Sequence, residues 1–355
     1  MNYIAETIDL VRRITEVATS EKKKSGFLIG NTGKIDKQGL YFTPMRITNL
    51  MVIGGVIIYS EGQAIEVTKM VDGKVDYVLV DAEKKVADKM SVSGEPANIE
   101  RAVRETLNKS NLWVYKANDL SVEAVDAFLG YLYKGAIGGI GGKKVVVIGC
   151  GNIGSKLALK LVERAAHVVV TRRDQKKLKI IADAINFIKP KYTKARVEYS
   201  LNNELAARDA DVLIGATNGV SVINSDMVRG LNKNAIILDV GKGSLKSQAI
   251  IYALKNKIDV YRLDITAAIS GMIETQWMIQ NIINHKMGRS EFKGERLVAG
   301  GLLGMKGEIV VDNISNPKVI YGIADGKGDF IRLTNNDQKK RLQRLEKILC
   351  CHIVK

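Results

Sequence analysis

Apolar residues recur every three or four positions over residues 3 to 17, with polar and charged residues between them. This pattern predicts an amphipathic helix at the start of the chain. The stretch that follows contains short apolar or β-branched runs separated by turns such as Asn31-Thr32-Gly33 and Asp72-Gly73, which is typical of strands. The predicted strands cover residues 27 to 29, 52 to 59, 77 to 80 and 112 to 115.

A helical pattern lies between the last two of these strands. In residues 98 to 110, Ile99, Val103 and Leu107 share one face, so the region predicts a strand, a helix and a strand, which is the opening of an α/β domain. Another helix is predicted from Ser121, which would serve as its N-cap.

A glycine-rich stretch at residues 135 to 142 follows this helix, and strands and helices then alternate regularly from residue 145 to residue 262. Alternation of this kind predicts a parallel sheet covered by helices on both faces. A long helix at residues 265 to 285, three short strands and a basic amphipathic helix near residues 336 to 350 are predicted after it.

The predicted fold class is therefore α/β, with two domains and a C-terminal segment. We expect an α/β substrate domain at residues 1 to 125 and a doubly wound parallel-sheet domain at residues 126 to 285. The turn-rich residues 286 to 355, with their basic helix, are expected to pack back on these domains or to dimerise.

Composition narrows the class of protein. The chain has 355 residues, 46% of them apolar, with four prolines, which suits one or two ordinary folded domains. The first residues carry early acids and no apolar signal block, and the longest apolar stretch is too short to cross a bilayer, so we expect a soluble cytoplasmic protein without membrane contacts.

Three cysteines cannot form a disulfide framework. The adjacent Cys350, Cys351 and His352 offer poor convergent geometry, and we expect no metal site.

The formal net charge of +16 admits two explanations, a nucleic-acid partner or an anionic substrate and cofactor. The lysines and arginines are scattered, and no aromatic residues are interleaved with them, which favours solvated faces over a nucleic-acid groove. We therefore expect a small-molecule substrate and no nucleic-acid partner. We also expect a homo-oligomer.

The most specific motif follows the first strand of the alternating region, where Gly149 to Gly154 spell GCGNIG between a strand and a helix. In this context Gly149 allows a tight turn, Gly151 lets a pyrophosphate approach the backbone, and Gly154 lets the helix pack closely on the strand. The N–H groups at the helix start, around Asn152 and Ile153, would meet the phosphate charge. The motif predicts an NAD(P)-binding Rossmann unit; the alternative is a glycine turn that binds nothing.

The end of the second strand of this unit bears on the choice of cofactor. Thr171 is followed by Arg172 and Arg173 at about the position where an NAD-binding unit would place an acid on the ribose 2′-hydroxyl. Guanidinium groups match a 2′-phosphate in fork geometry, so the sequence favours NADP. Asp174 is interpreted as the N-cap of the next helix; if it turned to the ribose instead, it would favour NAD.

Two later turns predict the wall of a cleft. Ala216, Thr217 and Asn218 follow the fourth strand of the alternating region, and Gly241 lies in a glycine-rich turn after the next strand. Both turns come at the carboxyl ends of parallel strands, where the nicotinamide half of a dinucleotide crosses the sheet. We expect these four residues to contact the cofactor.

The segments GKKVVVIGCGNIG, VVVTRRDQKKL, ADVLIGATNG and AIILDVGKG, in this order, resemble the shikimate dehydrogenase and methylenetetrahydrofolate dehydrogenase group over residues 98 to 285. The resemblance implies an N-terminal α/β catalytic domain followed by a Rossmann domain. It also implies a substrate contact for Gln276, which keeps the methionine-to-glutamine spacing of a helix in shikimate dehydrogenases, and for Asn118-Asp119, which stands where those enzymes carry Asn-Thr-Asp. The lysine segments P-[YH]-K and Y-x-x-x-K of the two families are missing from the chain.

Hydride transfer to a carbonyl or imine requires a proton donor near the nicotinamide. Lys116 with Asp119 could act as a lysine held by a carboxylate, and we expect both to converge with Gln276 on one cleft. His285 is an alternative acid or base.

The predicted function is an NADP-dependent dehydrogenase or reductase, with NAD as the second choice of cofactor, acting on a small anionic biosynthetic metabolite. A one-carbon folate or pterin dehydrogenase and a non-catalytic nucleotide-binding or sensing protein are the alternatives.

Overall fold

The computed structural model describes residues 3–33, 39–87, 96–332, 336–349 and 352–353. It confirms the predicted α/β fold class. The chain divides into two compact units, Met1–Met272 and Ile273–Lys355, which are described separately. The first unit contains two sheets, and each of them lies within one of the two predicted domains; the exact domain boundaries stay a prediction.

The first sheet is built around two strands that are buried on both faces. β1 and β3 are buried along almost their whole length, as expected for parallel strands covered from both sides. The strand order is β2-β3-β1-β4-β5, with β2 antiparallel at one edge. The elements of this region are α1 (Tyr3–Ser20), β1 (Lys24–Asn31), β2 (Tyr41–Ile47), β3 (Met51–Ile58), α2 (Glu61–Val71), β4 (Tyr77–Asp81), α3 (Ile99–Thr106), β5 (Asn111–Tyr115) and α4 (Ala117–Leu132).

Helix α2 was not predicted from the sequence. Its buried face includes the β-branched residues Val67, Thr68 and Val71, which have modest helix propensity and obscure a helical pattern. A cap supports its start, because the Ser60 hydroxyl accepts a hydrogen bond from the Gln63 backbone N–H at 3.2 Å and Gln63 Oε1 accepts one from the Tyr59 backbone N–H at 2.8 Å.

Helix α4 begins earlier than predicted. Ser121 is not its N-cap: the Ser121 hydroxyl lies inside the helix and donates to the Ala117 carbonyl at 3.2 Å. The helix starts after Lys116, and the carboxylates of Asp81 and Glu83 accept hydrogen bonds from its first backbone N–H groups. Carboxylates from a distant loop therefore replace the local cap, since negative charge is favourable at a helix N-terminus.

The second sheet is parallel, with strand order β11-β10-β9-β6-β7-β8, as the alternating pattern predicts. Alternate residues of its central strand enter opposite cores, Val145 and Val147 on one face and Val146 and Ile148 on the other. The elements are β6 (Lys144–Ile148), α5 (Asn152–Glu163), β7 (His167–Thr171), α6 (Gln175–Ile188), β8 (Val197–Ser200), α7 (Asn203–Ala207), β9 (Val212–Gly215), α8 (Ser225–Arg229), β10 (Ile236–Asp239), α9 (Ser247–Lys255) and β11 (Asp259–Arg262). The chain order reverses at β6, between β7 and β9, and such a switch point forms a crevice at the carboxyl ends of the strands.

Helix α10 (Thr266–Asn281) runs from the first unit into the second and ends in a π-helical turn, Ile282–Lys286. The second unit then forms a mixed five-stranded sheet in sequence order. The tail helix packs Leu342 and Leu345 into the core of this unit. Its elements are β12 (Gly288–Phe292), β13 (Glu295–Ala299), β14 (Ile309–Val311), β15 (Val319–Ile323), α11 (Asn336–Leu349) and β16 (His352–Ile353).

Candidate functional site

The glycine loop between β6 and α5 has the geometry that its spacing predicts. Gly149 has a φ of 98°, and a Cβ there would lie 2.6 Å from the Ala216 carbonyl oxygen. A Cβ on Gly154 would lie 2.5 Å from the Gly149 carbonyl oxygen, so this glycine permits the close approach of helix and strand. A Cβ on Gly151 would meet no protein atom within 4 Å. The space beside Gly151 is therefore open to a ligand.

Two cavities adjoin this loop. The first, of about 370 Å³, is bounded by the glycine loop, the end of β7 and the turn after β9. Seven of the predicted cofactor residues line it: Gly149, Gly151, Thr171, Arg172, Arg173, Ala216 and Thr217. The second cavity, of about 780 Å³, shares Gly151 and Ala216 with the first. Of the other predicted cofactor residues, Asn152, Ile153, Asn218 and Gly241 line the second cavity. Gly154 packs against the backbone of Gly149 and lines neither cavity.

The two arginines at the end of β7 differ in their surroundings. Arg172 is half-buried and its Nη1 donates to the Cys150 carbonyl at 2.8 Å, which holds the guanidinium over the glycine loop. Arg173 is exposed at the cavity rim. Asp174 accepts a hydrogen bond from the Lys177 backbone N–H at 3.0 Å. The carboxylate is thus the N-cap of α6, as the sequence interpretation has it.

Cys150 lies within the loop but is not suited to be a nucleophile. Its side chain is fully buried, and burial raises the pKa of the thiol to about 11, although Arg172 acts in the opposite direction. A protonated thiol is a poor nucleophile and a poor metal ligand. The Cys150 side chain packs in the hydrophobic core between the loop and the sheet.

The wall formed by the turns after β9 and β10 is held by internal hydrogen bonds. The Thr217 hydroxyl lies 2.9 Å from the Ser244 hydroxyl. Asp239, at the buried end of β10, accepts hydrogen bonds from the Gly243 and Ser244 backbone N–H groups at 2.8 and 3.1 Å. These bonds fix the glycine-rich turn that carries Gly241.

Backbone strain marks the rim of the second cavity. Asn218 has a φ of 55° and Lys242 a φ of 51°, in the left-handed region that non-glycine residues seldom adopt. Both residues line the cavity. Both turns therefore adopt an uncommon backbone conformation at this rim, as do six other non-glycine residues elsewhere in the described chain.

The second cavity joins the two sheets of the first unit. From the first sheet it receives residues at the carboxyl ends of β1 and β3, together with a lysine from the loop after β4. Carboxyl ends of parallel strands are where ligands bind in open α/β sheets. The lining residues from this side are Asn31, Thr32, Gly33, Tyr41, Ile57, Tyr59, Lys85 and Asn118.

Lys85 is held by two carboxylates. Its Nζ lies 2.7 Å from Asp81 Oδ2 and 2.8 Å from Glu83 Oε2. The Asp81 side chain is fully buried, and burial raises the pKa of its carboxyl above the usual range, opposed by Lys85. A lysine with carboxylate partners at a cavity can transfer protons. The sequence analysis expected a lysine held by a carboxylate at Lys116 and Asp119 instead.

The predicted catalytic residues are placed differently. Lys116 is exposed at the start of α4 and is not among the described residues that line the cavity. Asp119 forms an ion pair with Lys156 of α5 rather than with Lys116. Gln276 lies on α10 in the second unit. The structure therefore does not bring Lys116 and Asp119 together as a proton-transfer pair, and the roles of Asp119 and Gln276 stay predictions.

The sequence reasoning missed Lys85 because no motif marks it. Lys85 lies in the run DAEKK after β4, and acidic and basic residues in such a run usually form a solvated loop. One signal was available: the run follows a buried parallel strand, so its residues come at the same sheet edge as the turn after β1.

A buried oxygen also faces this region. Asn31 is 4% exposed and its Nδ2 donates to the Asp81 backbone carbonyl at 3.0 Å. Its Oδ1 has no hydrogen-bond partner among the described residues. Leaving such an atom unpaired costs roughly 1 to 3 kcal/mol, so a water or a ligand group that donates to it would be favourable.

No group of three or more His, Cys, Asp or Glu side chains suited to a metal occurs in the described part of the chain. Cys350 and Cys351 lie outside the described residues. His285 is exposed in the π-helical turn of the second unit. Within the described ranges, no helix is long and apolar enough to span a bilayer.

Comparison with known proteins bears on the cofactor unit. Residues 144–243 match the family described as NADP oxidoreductase, coenzyme F420-dependent. The match covers less than a third of the chain, but it confirms the predicted class, an NAD(P)-dependent dehydrogenase or reductase with a nucleotide-binding Rossmann unit. A comparison with curated proteins finds no match.

Similar solved structures include three enzymes. One of these, a dipicolinate synthase chain from Bacillus halodurans, is 15% identical, over 72% of this chain and 97% of that chain, with a TM-score of 0.36. L-Tryptophan dehydrogenase from Nostoc punctiforme is 16% identical, over 71% of this chain and 73% of that chain, with a TM-score of 0.40. Hetero-hexameric glutamate dehydrogenase from Thermus thermophilus is 15% identical, over 74% of this chain and 70% of that chain, with a TM-score of 0.43. These likenesses are too remote to assign a substrate.

Proposed function

We propose that this protein is an NADP-dependent dehydrogenase or reductase that reduces or oxidises a small anionic metabolite in the second cavity, with Lys85 as the proton-transfer residue. The observation that carries the proposal is the position of Lys85. It lines a cavity that shares Gly151 and Ala216 with the cavity of the glycine loop. A dinucleotide bound at the loop would therefore adjoin a cavity that contains a lysine held by carboxylates.

The residues present fit a dinucleotide. Gly151 leaves open space beside the backbone, and the N-terminus of α5 has no side-chain cap in the described structure. The backbone N–H groups of Asn152 and Ile153 are thus suited to bind a pyrophosphate. When bound, the cofactor supplies or accepts the hydride.

Lys85 completes the reaction in the direction of reduction. As the carbonyl or imine carbon gains a hydride and its π bond to oxygen or nitrogen breaks, that atom takes a proton from Lys85 Nζ. Lys85 then regains a proton from solvent. Asp81 and Glu83 hold the ammonium in place before transfer, and the reverse sequence serves oxidation.

Two features support NADP over NAD. Arg172 is held at the edge of the first cavity by its bond to the Cys150 carbonyl, and Arg173 lies beside it at the rim. Guanidinium groups in this position suit a 2′-phosphate. Asp174, the residue that would favour NAD, is engaged as the cap of α6.

An anionic substrate is supported by the charge of Lys242, which lines the second cavity, and by the net charge of +16 on the chain as a whole. Lys85 also lines this cavity, but its charge is paired with Asp81 and Glu83. The resemblance to shikimate and methylenetetrahydrofolate dehydrogenases supports a biosynthetic substrate of this kind. A homo-oligomer without a nucleic-acid partner, in the cytoplasm, remains our expectation.

The proposal is tested with a matched pair of variants. Lys85→Met should lower turnover by roughly 100-fold or more, the usual scale for an acid–base residue, and leave NADPH affinity nearly unchanged. Lys84→Met, which removes the exposed neighbouring lysine, should leave turnover near that of the parent. The assay is NADPH oxidation with a panel of carboxylated ketones and imines, guided by mass spectrometry of any co-purified ligand. Equal turnover in Lys85→Met and the parent would contradict the role of Lys85, and failure of the parent to bind NADPH would contradict the function as a whole.

A further inference from the structure

Glu83 lies between the lysine of the second cavity and the helix of the cofactor unit. Its Oε2 lies 2.8 Å from Lys85 Nζ and accepts a hydrogen bond from the Asn118 backbone N–H at 2.9 Å. Its Oε1 lies 3.9 Å from Lys156 Nζ on α5. The Glu83 side chain is only 12% exposed. One carboxylate therefore contacts the candidate proton donor, the start of α4 and the cofactor helix.

A second link reaches the cofactor site itself. The Asn118 side chain donates to Asn152 Oδ1 at 3.2 Å. Asn152 is the first residue of α5 and follows the glycine loop directly. A continuous set of polar contacts thus runs from Lys85 through Glu83 and Asn118 to the helix end that is suited to a pyrophosphate.

We propose that Glu83 is a positioning residue, which holds Lys85 in the second cavity and couples its placement to occupancy of the α5 N-terminus. The inference rests on the proposed roles of Lys85 and of the glycine loop. A phosphate bound at the α5 N-terminus orders Asn152, which orders Asn118 and so the carboxylate that holds the lysine. Coupling through these contacts is a free energy that a ligand at one site and a change at the other must share equally, so it can be measured at Lys85.

The groups around Lys85 determine which of its contacts can be removed singly. Asp81 and Glu83 come from its own loop, and Lys156 of α5 lies against Glu83. Tyr115, at the buried end of β5, faces the same two carboxylates, and burial raises the pKa of its hydroxyl well above the usual range. Glu83 is the member of this set that contacts both Lys85 and α5, so its charge can be removed while Asp81 still holds the lysine.

The test measures Lys85 directly and needs no substrate. The parent and Glu83→Gln are treated with trace acetic anhydride at one fixed, neutral pH, and acetylation of Lys85 is followed by peptide mass spectrometry. Loss of one of its two carboxylate partners should leave the Lys85 amine less firmly held and raise its labelling rate by roughly threefold to tenfold. Glu123→Gln is the matched control. It removes a carboxylate that pairs with Lys160 elsewhere between α4 and α5, and it should leave the labelling rate of Lys85 unchanged.

Coupling is tested by repeating the measurement with 2′-phospho-ADP-ribose, which lacks the nicotinamide ring. This ligand should slow labelling of Lys85 in the parent by at least about twofold and have little effect in Glu83→Gln. An unchanged labelling rate of Lys85 in ligand-free Glu83→Gln would overturn the positioning role, and an equal ligand effect in both proteins would overturn the coupling. The ligand-free comparison holds whether or not NADPH binds, so failure of the proposed function is recognised separately by NADPH titration of the parent.

Discussion

Gly151→Ala separates cofactor binding from folding more cleanly than any other substitution in the loop. A Cβ at this position would meet no protein atom within 4 Å, and the backbone φ of −101° is open to any residue. The added methyl group would instead fill space that a pyrophosphate needs in order to reach the helix N-terminus. We therefore expect a folded protein that binds NADPH poorly.

The magnitude follows from the contacts that would be lost. Displacing the phosphate from two backbone N–H groups removes hydrogen bonds to a charged group, each contributing about 1.5 kcal/mol or more. The total of about 3 kcal/mol corresponds to a Kd for NADPH that is roughly 100-fold weaker. The stability of the fold should change by less than about 1 kcal/mol, because Gly→Ala at a permitted φ restricts mainly the unfolded chain.

Gly154→Ala is the control for packing. A methyl group there would lie 2.5 Å from the Gly149 carbonyl oxygen, so overpacking should lower stability by about 1 to 3 kcal/mol. The assay is fluorescence titration with NADPH, together with urea unfolding of both variants and the parent. The reasoning is refuted if Gly151→Ala binds NADPH as tightly as the parent, or if it is destabilised as much as Gly154→Ala.

Two further predictions concern charge. Replacing both Arg172 and Arg173 with alanine should weaken NADPH binding by at least about tenfold and change NADH binding much less. The reason is that contacts to the 2′-phosphate, which NADH lacks, contribute about 1.5 kcal/mol or more. Equal losses of affinity for NADPH and NADH in parallel titrations would contradict the NADP assignment. Burial acts to raise the pKa of the Asp76 carboxyl, but hydrogen bonds from Ser25 and Lys24 outweigh it and hold the pKa below its usual range. Because the pKa of Asp76 is lower in the folded protein than in the unfolded chain, the ionised carboxylate stabilises the fold above about pH 4, and this stabilisation is lost as the pH falls below the folded-state pKa. Asp76→Asn should therefore lower the free energy of unfolding by on the order of 1 kcal/mol at pH 7 and by almost nothing near pH 2. Urea unfolding at several pH values measures this, and a pH-independent difference would contradict it.

The sequence alone determined the cofactor half of the protein, because the signals there are local. A buried strand, a tight glycine turn and a helix start occupy consecutive residues, so the positions of Gly149, Gly151 and Gly154 follow from spacing. The cap at Asp174 is local for the same reason. Hydrophobic alternation also gave the parallel sheet, since each strand and helix of that region buries its own apolar face.

Tertiary structure decided the arrangement of residues around the second cavity, because its contacts join residues that lie far apart in the chain. Helix α4 starts at Ala117 rather than near Ser121, since carboxylates from the loop after β4 cap it. The same carboxylates hold Lys85, which lies far from that helix in the sequence, so no short-range pattern marks the lysine as functional. Spacing shows which residues share a strand or a helix face. Only the packed structure brings the end of β1, the loop after β4 and the start of α4 to one cavity. It also shows which of the 54 lysines and arginines line that cavity.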